Sequence, residues 1–411
     1  MASPPPPSTP PRQGLSSSIL SSPVVRVPKF YNEHKRDEFQ LFGYDENIHG
    51  PKPFENQNKF SQFLRVQNPD VPISGFRFTL DDFVNVGNAM AKLIRKTGKH
   101  TFSAVFWPLL LTHDLDFAEK PLLVFKNTGD NPPLGHVTDS KCRPDITAAF
   151  DKDWQNEATL WPCVRFAAEK ASSGKTKEEQ KKQAVSYLHY LLLARPDLHV
   201  AQGMLIDDKQ VLFLLGIEGV GIRSVSVTWK SSNLPKLMYK FIYRLYKPAH
   251  FADPSYLSVK PDLPKKSVKY SVRIALSQTK TIVCRGFFPL FAANPFGTRT
   301  HVLTNPSSNV QVDGRVLTVL KDQLCRHMTR FNEHSMLSQI HKSMAVPGVV
   351  EAVHSETIET PLSDGRDRHR LGLGQSGDPF MSIPTVRDML ETLFDVLEGD
   401  LDFHAMPCLM C

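Results

Sequence analysis

Lys321 and Glu333 are the two residues whose types and placing point most directly to chemistry. Lys321 follows Val316, Leu317, Val319 and Leu320, an apolar run that reads as a strand. Glu333 is the only acid between Asp322 and Glu351, on a stretch that reads as a helix over 326–342. An ammonium on a strand, held by a carboxylate on the next helix, is suited to nucleotide phosphates, because phosphoryl transfer depends on positioning and charge compensation. Gly297, in Asn-Pro-Phe-Gly-Thr, falls at a turn between two expected strands, where a missing Cβ lets backbone amides approach phosphate. One glycine stands there in place of the usual three. The segment 374–377 follows the last expected strand, where backbone groups could meet a nucleobase. Each residue alone also reads as a strand-end lysine, a solvated helix acid or a hairpin turn; their order along the chain is what singles them out.

Other constellations are weaker. Asp145 after Pro144, with Glu169 and Lys170 on a following strand, is similar to the PD-(D/E)xK nuclease core, in which carboxylates hold Mg²⁺ and a lysine activates water. The Glu-x-Lys spacing is broken here, since position 168 is Ala. The segment 172–176 (SSGKT) lacks the earlier glycine of a phosphate-binding P-loop and reads as a lysine-rich loop. His404, Cys408 and Cys411 lack the second ligand pair of a zinc site. His327, His334 and His341 share one helical face at seven-residue spacing and read as a solvent-facing stripe. No metal-ligand set is expected.

These residues need elements to carry them. Residues 1–25 are rich in Pro and Ser and read as a disordered tail. The pattern over 75–96, with Thr79 as N-cap and Phe83, Val86, Met90 and Ile94 apolar, predicts an amphipathic helix. Strands are expected over 142–154 and 160–172. A helix over 183–196 should stop at Pro196. A β-meander over 199–229 turns at Asp207-Asp208 and at Gly216–Gly221, and another helix covers 234–248. The Pro-rich stretch 251–267 reads as a linker, which places a domain boundary near 265. Five strands and one helix follow it, then a helix over 385–399.

The chain has 411 residues, a net charge of +7 and six scattered cysteines. That length allows two cores. The mild positive charge permits nucleotide contact without requiring nucleic acid, which is not an expected partner. No secretory segment and no apolar run of roughly 20 residues is visible, so an intracellular, cytoplasmic or nuclear, location without membrane insertion is expected.

The chain resembles the fungal-type protein kinase family. The residues that carry this are RPDITAAF (143–150), LWPCVRFAAEK (160–170), QAVSYLHYLLLARPDLHVAQGMLI (183–206), VLFLLGIEGVGIRSVSVTW (211–229) and FIYRLYKP with DPSY (241–256). Later come FGTRTHVL, VLKDQ, NEHSMLSQIH and VPGVVEAV. The resemblance covers about 60–400. It implies an α+β fold: an N-terminal α/β domain over 60–265, then over 270–411 a protein-kinase-like small lobe, hinge and start of the large lobe. It also implies ATP with Mg²⁺ as cofactors, transfer to a Ser/Thr hydroxyl of a protein substrate or partner, Lys321 on the α/β-phosphates, Glu333 as its partner and Gly297 in the phosphate loop. No His-Arg-Asp or Asp-Phe-Gly segment occurs. The catalytic base and metal-binding positions therefore have no counterpart, and a truncated, catalytically inactive polypeptide is expected. The alternatives are a non-catalytic interaction scaffold and a PD-(D/E)xK-like nucleic-acid enzyme in the N-terminal domain.

Overall fold

Leu80–Thr97 forms helix α1, with Asp81 and Asp82 in the first turn, where the helix dipole favours acids. The structure, a computed structural model, describes residues 80–97, 121–137, 142–155, 158–229, 234–246, 251–262, 266–277, 279–326, 333–342, 349–358 and 366–375, with a few isolated positions besides. The tail 1–25, the Thr79 cap, residues 327–332 of the expected 326–342 helix and most of 385–399 lie outside the described residues.

The first sheet has the order β1 (Leu123–Asn127), β2 (Ile146–Phe150), β3 (Phe166–Lys170), β4 (Val200–Ile206), β5 (Gln210–Ile217), β6 (Gly221–Thr228). Neighbouring strands are antiparallel except β3 and β4. A parallel pair needs a crossover, and helix α2 (Lys177–Ala194) supplies it. Helices α1 and α3 (Leu234–Tyr246) cover one face and α2 the other. This explains why β4 and β5 read as nearly continuous apolar runs.

Helix α2 starts six residues before the expected 183. The Thr176 hydroxyl accepts the Glu179 N–H, and the Glu179 carboxylate accepts the Thr176 N–H at 2.8 Å. This capping box, followed by Lys, Glu and Gln with high helix propensity, turns an expected loop into the first turns of the helix. Gly203 lets α2 lie close on β4, since a Cβ there would stand 2.8 Å from Leu188.

The second sheet is antiparallel throughout, in the order β14-β15-β13-β10-β9-β8-β7. Its strands are β7 (Tyr256–Asp262), β8 (Ser267–Ala275), β9 (Thr281–Ala292), β10 (Thr300–Thr304), β13 (Val319–Arg326), β14 (Ala352–Ile358) and β15 (Arg366–Leu373). A small hairpin, β11 (Gln311–Val312) with β12 (Arg315–Val316), turns through Asp313 and Gly314, both at positive φ. Helix α4 (Glu333–Ile340) lies between β13 and β14. Within the expected linker 251–267, residues 256–262 are instead an edge strand, β7. Pro261 is tolerated there because an edge strand leaves one side of its backbone unpaired. The described fold is mixed α+β, and no helix among the described residues is long and apolar enough to cross a membrane.

Leu188 is fully buried between α2 and the sheet. Leu188→Ala is expected to lower stability by about 2–5 kcal/mol, read from urea unfolding with an unchanged m-value.

Candidate functional site

Side chains alternate between the two faces of a strand, and this sorts the second sheet. Asp322 stands opposite His301 and Arg370; its neighbour Lys321 stands opposite Val302 and Leu371. The first set is buried against the six-stranded domain; of the second, Lys321 and Leu371 line an open cavity.

On the buried face, Glu218, from the turn after β5, is 1% exposed and contacts His199, Arg299 and Arg368, the last at 2.9 Å. Arg370 makes a two-pronged pair with Asp322, at 2.8 and 2.9 Å, and also reaches Asp253 at 3.0 Å and Glu356 at 3.0 Å. The Tyr256 hydroxyl donates to Asp322 at 3.0 Å. The second sheet also caps α2. Arg299 donates to the Arg195 carbonyl at 2.9 Å, His301 to Leu193 at 3.1 Å, and the Tyr270 hydroxyl to Ala194 at 3.0 Å. A helix leaves its last carbonyls without partners inside the helix, and here another sheet supplies the donors. Burial alone would raise the Asp322 pKa; the Arg370 charge and hydrogen bonds more than reverse this and hold it at about 2. Burial, then the Arg299 and Arg368 charges, push His301 down to about 3.

On the open face, Lys321 Nζ lies 2.5 Å from Glu333 Oε2, with the two side chains 24% and 43% exposed. Such an exposed pair adds little to stability; what it does is fix the direction of the ammonium. The pair borders a cavity of about 590 Å³, lined also by Gly297, Gln323, Arg366 and His369. Next to it lies an apolar floor, where Leu337 of α4 packs with Val319, Leu371 and Leu373, and Val302 joins them. Phe291, opposite Val302 on β9, is exposed.

The structure brings Lys321, Glu333 and Gly297 to one cavity. Gly297, though, has no need of its missing side chain. A Cβ there would meet nothing closer than 3.6 Å, and the positive φ in this loop belongs to Arg299. The Gly374 N–H donates to the Glu351 carbonyl at 3.3 Å, and residues 376–377 lie outside the described residues. Two residues of the expected histidine stripe are described. His334 lines the cavity, His341 bonds the Val350 carbonyl at 3.2 Å, and His327 lies outside the described residues.

Asp145 and Glu169 come together at neighbouring ends of β2 and β3, but both are engaged. Asp145 accepts the Lys170 N–H at 2.7 Å; Glu169 accepts the Tyr187 hydroxyl at 2.8 Å and faces Lys175 at 3.5 Å. Among the described residues no group of three or more His, Cys, Asp or Glu is placed to hold a metal.

Sequence reasoning missed the buried network. Its traces were Arg368 and Arg370 at strand spacing and one acid, Glu218, inside an apolar run. No protein-family model, curated protein or solved structure matches the chain.

His301 is held neutral in the folded protein, while the unfolded chain takes up a proton near pH 6.5. Stability should therefore fall as pH drops from 6.5 towards 4. In His301→Gln, urea unfolding at stepped pH should show this slope reduced by up to about 1.4 kcal/mol per pH unit.

Proposed function

We propose that the second sheet with α4 is a nucleotide-binding lobe of protein-kinase type, related to the fungal-type protein kinases, and that it takes ATP with Mg²⁺. The observation that carries the reading is the 2.5 Å Lys321–Glu333 pair beside a cavity. Its setting adds support: the lysine strand lies between β10 and β15, the helix is the next described element after that strand, and an apolar floor adjoins the pair. In this reading Lys321 holds the α/β-phosphates and Glu333 orients it. Val302, Val319 and Leu373 take the base, and the 293–299 loop covers the phosphates. The sequence has no His-Arg-Asp or Asp-Phe-Gly segment, so the proposal stops at binding. Transfer to a protein hydroxyl belongs to the family resemblance alone.

A second reading rests on the order α1-β1-β2-β3-α2-β4, which sets Asp145 and Glu169 side by side as in a PD-(D/E)xK nuclease. We place it second because a main-chain amide and a tyrosine hydroxyl already occupy these carboxylates.

At 100 times its dissociation constant, Mg-ATP should stabilise the protein by about 2.7 kcal/mol, a rise of a few degrees in Tm. The rise should vanish in Lys321→Ala. A wild-type protein whose Tm no adenine nucleotide moves rules the reading out and leaves the interaction-scaffold account. Mg²⁺-dependent nicking of DNA, lost in Asp145→Ala, would move the nuclease reading to first place.

A further inference from the structure

The loop that would cover the phosphates is not a free hairpin tip. Between β9 and β10, Asn294 organises it locally: its carbonyl accepts the N–H groups of Gly297 and Arg299 at 3.1 and 3.2 Å, and its side chain accepts the Phe296 N–H at 3.1 Å. The six-stranded domain then holds it from outside. The Gly219 N–H donates to the Pro295 carbonyl at 2.9 Å. The Phe296 ring packs on His189 of α2, centroids 5.8 Å apart. Arg299, 2% exposed and at φ +35°, is bound by the Glu218 carboxylate and by the Arg195 carbonyl at the end of α2.

The turn that delivers Glu218 is itself wedged in place. Gly219 sits at φ +68°, and a Cβ there would stand 2.3 Å from Leu324 of β13. On the cavity side, Arg366 donates to the Gly297 carbonyl at 2.9 Å, and the Leu324 N–H to the Thr298 carbonyl at 2.8 Å. A left-handed backbone at a non-glycine residue costs about 1–3 kcal/mol, so the surroundings must hold Arg299 there. A buried guanidinium needs a paired carboxylate, and Glu218 supplies it.

We propose that Glu218 is a positioning residue. From the six-stranded domain, through Arg299, it holds residues 294–299 over the place where nucleotide phosphates lie, and so sets the phosphate share of nucleotide affinity. The phosphate clause rests on the nucleotide reading above; the anchoring of the loop does not. The six-stranded domain thereby becomes part of the nucleotide site, although none of its residues borders the cavity.

The test compares ATP with adenosine, because a loosened phosphate loop weakens only the first, whereas general damage weakens both. By calorimetry, Glu218→Gln should weaken ATP roughly tenfold and adenosine less than about twofold. Amide exchange over 294–299 should quicken in the same variant. Phe296→Ala, a half-buried change that leaves the charges intact, should do the same to a smaller degree and serves if Glu218→Gln does not fold. Equal weakening of ATP and adenosine overturns the proposal, as does unchanged ATP affinity in folded variants. If the wild-type protein binds neither ligand, the nucleotide reading and the phosphate clause fall together. Exchange then decides the anchoring alone: faster exchange over 294–299 in the variants upholds it, and unchanged protection overturns it.

Discussion

The end of helix α2 is the point on which the two halves of this protein depend. Its last carbonyls need donors, and Arg299, His301 and Tyr270 of the second sheet supply them. The same donors stand next to a chain of buried charges, from Glu218 through Arg368, Asp253 and Arg370 to Asp322. Buried ion pairs are seldom strong net stabilisers compared with an apolar core, but breaking one partner out costs about 3–5 kcal/mol. The seam therefore specifies one docking arrangement and penalises the others. The Arg299 charge at the negative end of the α2 dipole acts in the same direction.

This seam takes up one face of the seven-stranded sheet at His301, Asp322, Arg368 and Arg370. Alternation then leaves Lys321, Val302, Leu371 and Leu373 on the other face, where, among the described residues, Leu337 of the short helix α4 and Val349 and Val350 pack on the apolar cluster. One carbonyl-capping requirement thus decides which side of the sheet faces the six-stranded domain and which side carries Lys321. The loop 294–299 belongs to both sides, since it is pinned by Glu218 and Gly219 yet reaches the cavity through Gly297.

Much of the first sheet was legible in the sequence, because its elements are long and periodic. The meander β4-β5-β6 and helix α3 fall close to where hydrophobic pattern and turn residues place them. The start of α2 was hidden, since a cap plus good helix formers resembles a charged loop when no apolar stripe marks it. β7 was hidden by Pro261, which reads as a linker unless the strand is known to be an edge. For the site, strand, lysine, helix and acid could be read in order, because that signal is local. The interdomain network could not. Its members are separated by up to 172 residues, as in the bond from Arg368 to the Pro196 carbonyl, and a lone buried charge has no periodicity to betray it. Gly297 stood out as the glycine of a loop, yet the residue under backbone constraint is Arg299.

All four tryptophans precede residue 230, and the three among the described residues, Trp154, Trp161 and Trp229, lie in the six-stranded domain, so tryptophan fluorescence is the signal for that domain, while amide exchange in β10, β13 and β15 reports the second sheet. Following both signals through the same urea series tests the seam most directly. If the α2 cap and the buried charges unite the halves, the fluorescence midpoint and the loss of protection in those three strands will coincide. Loss of protection in the second sheet at clearly lower urea, with tryptophan fluorescence still native, would contradict the account.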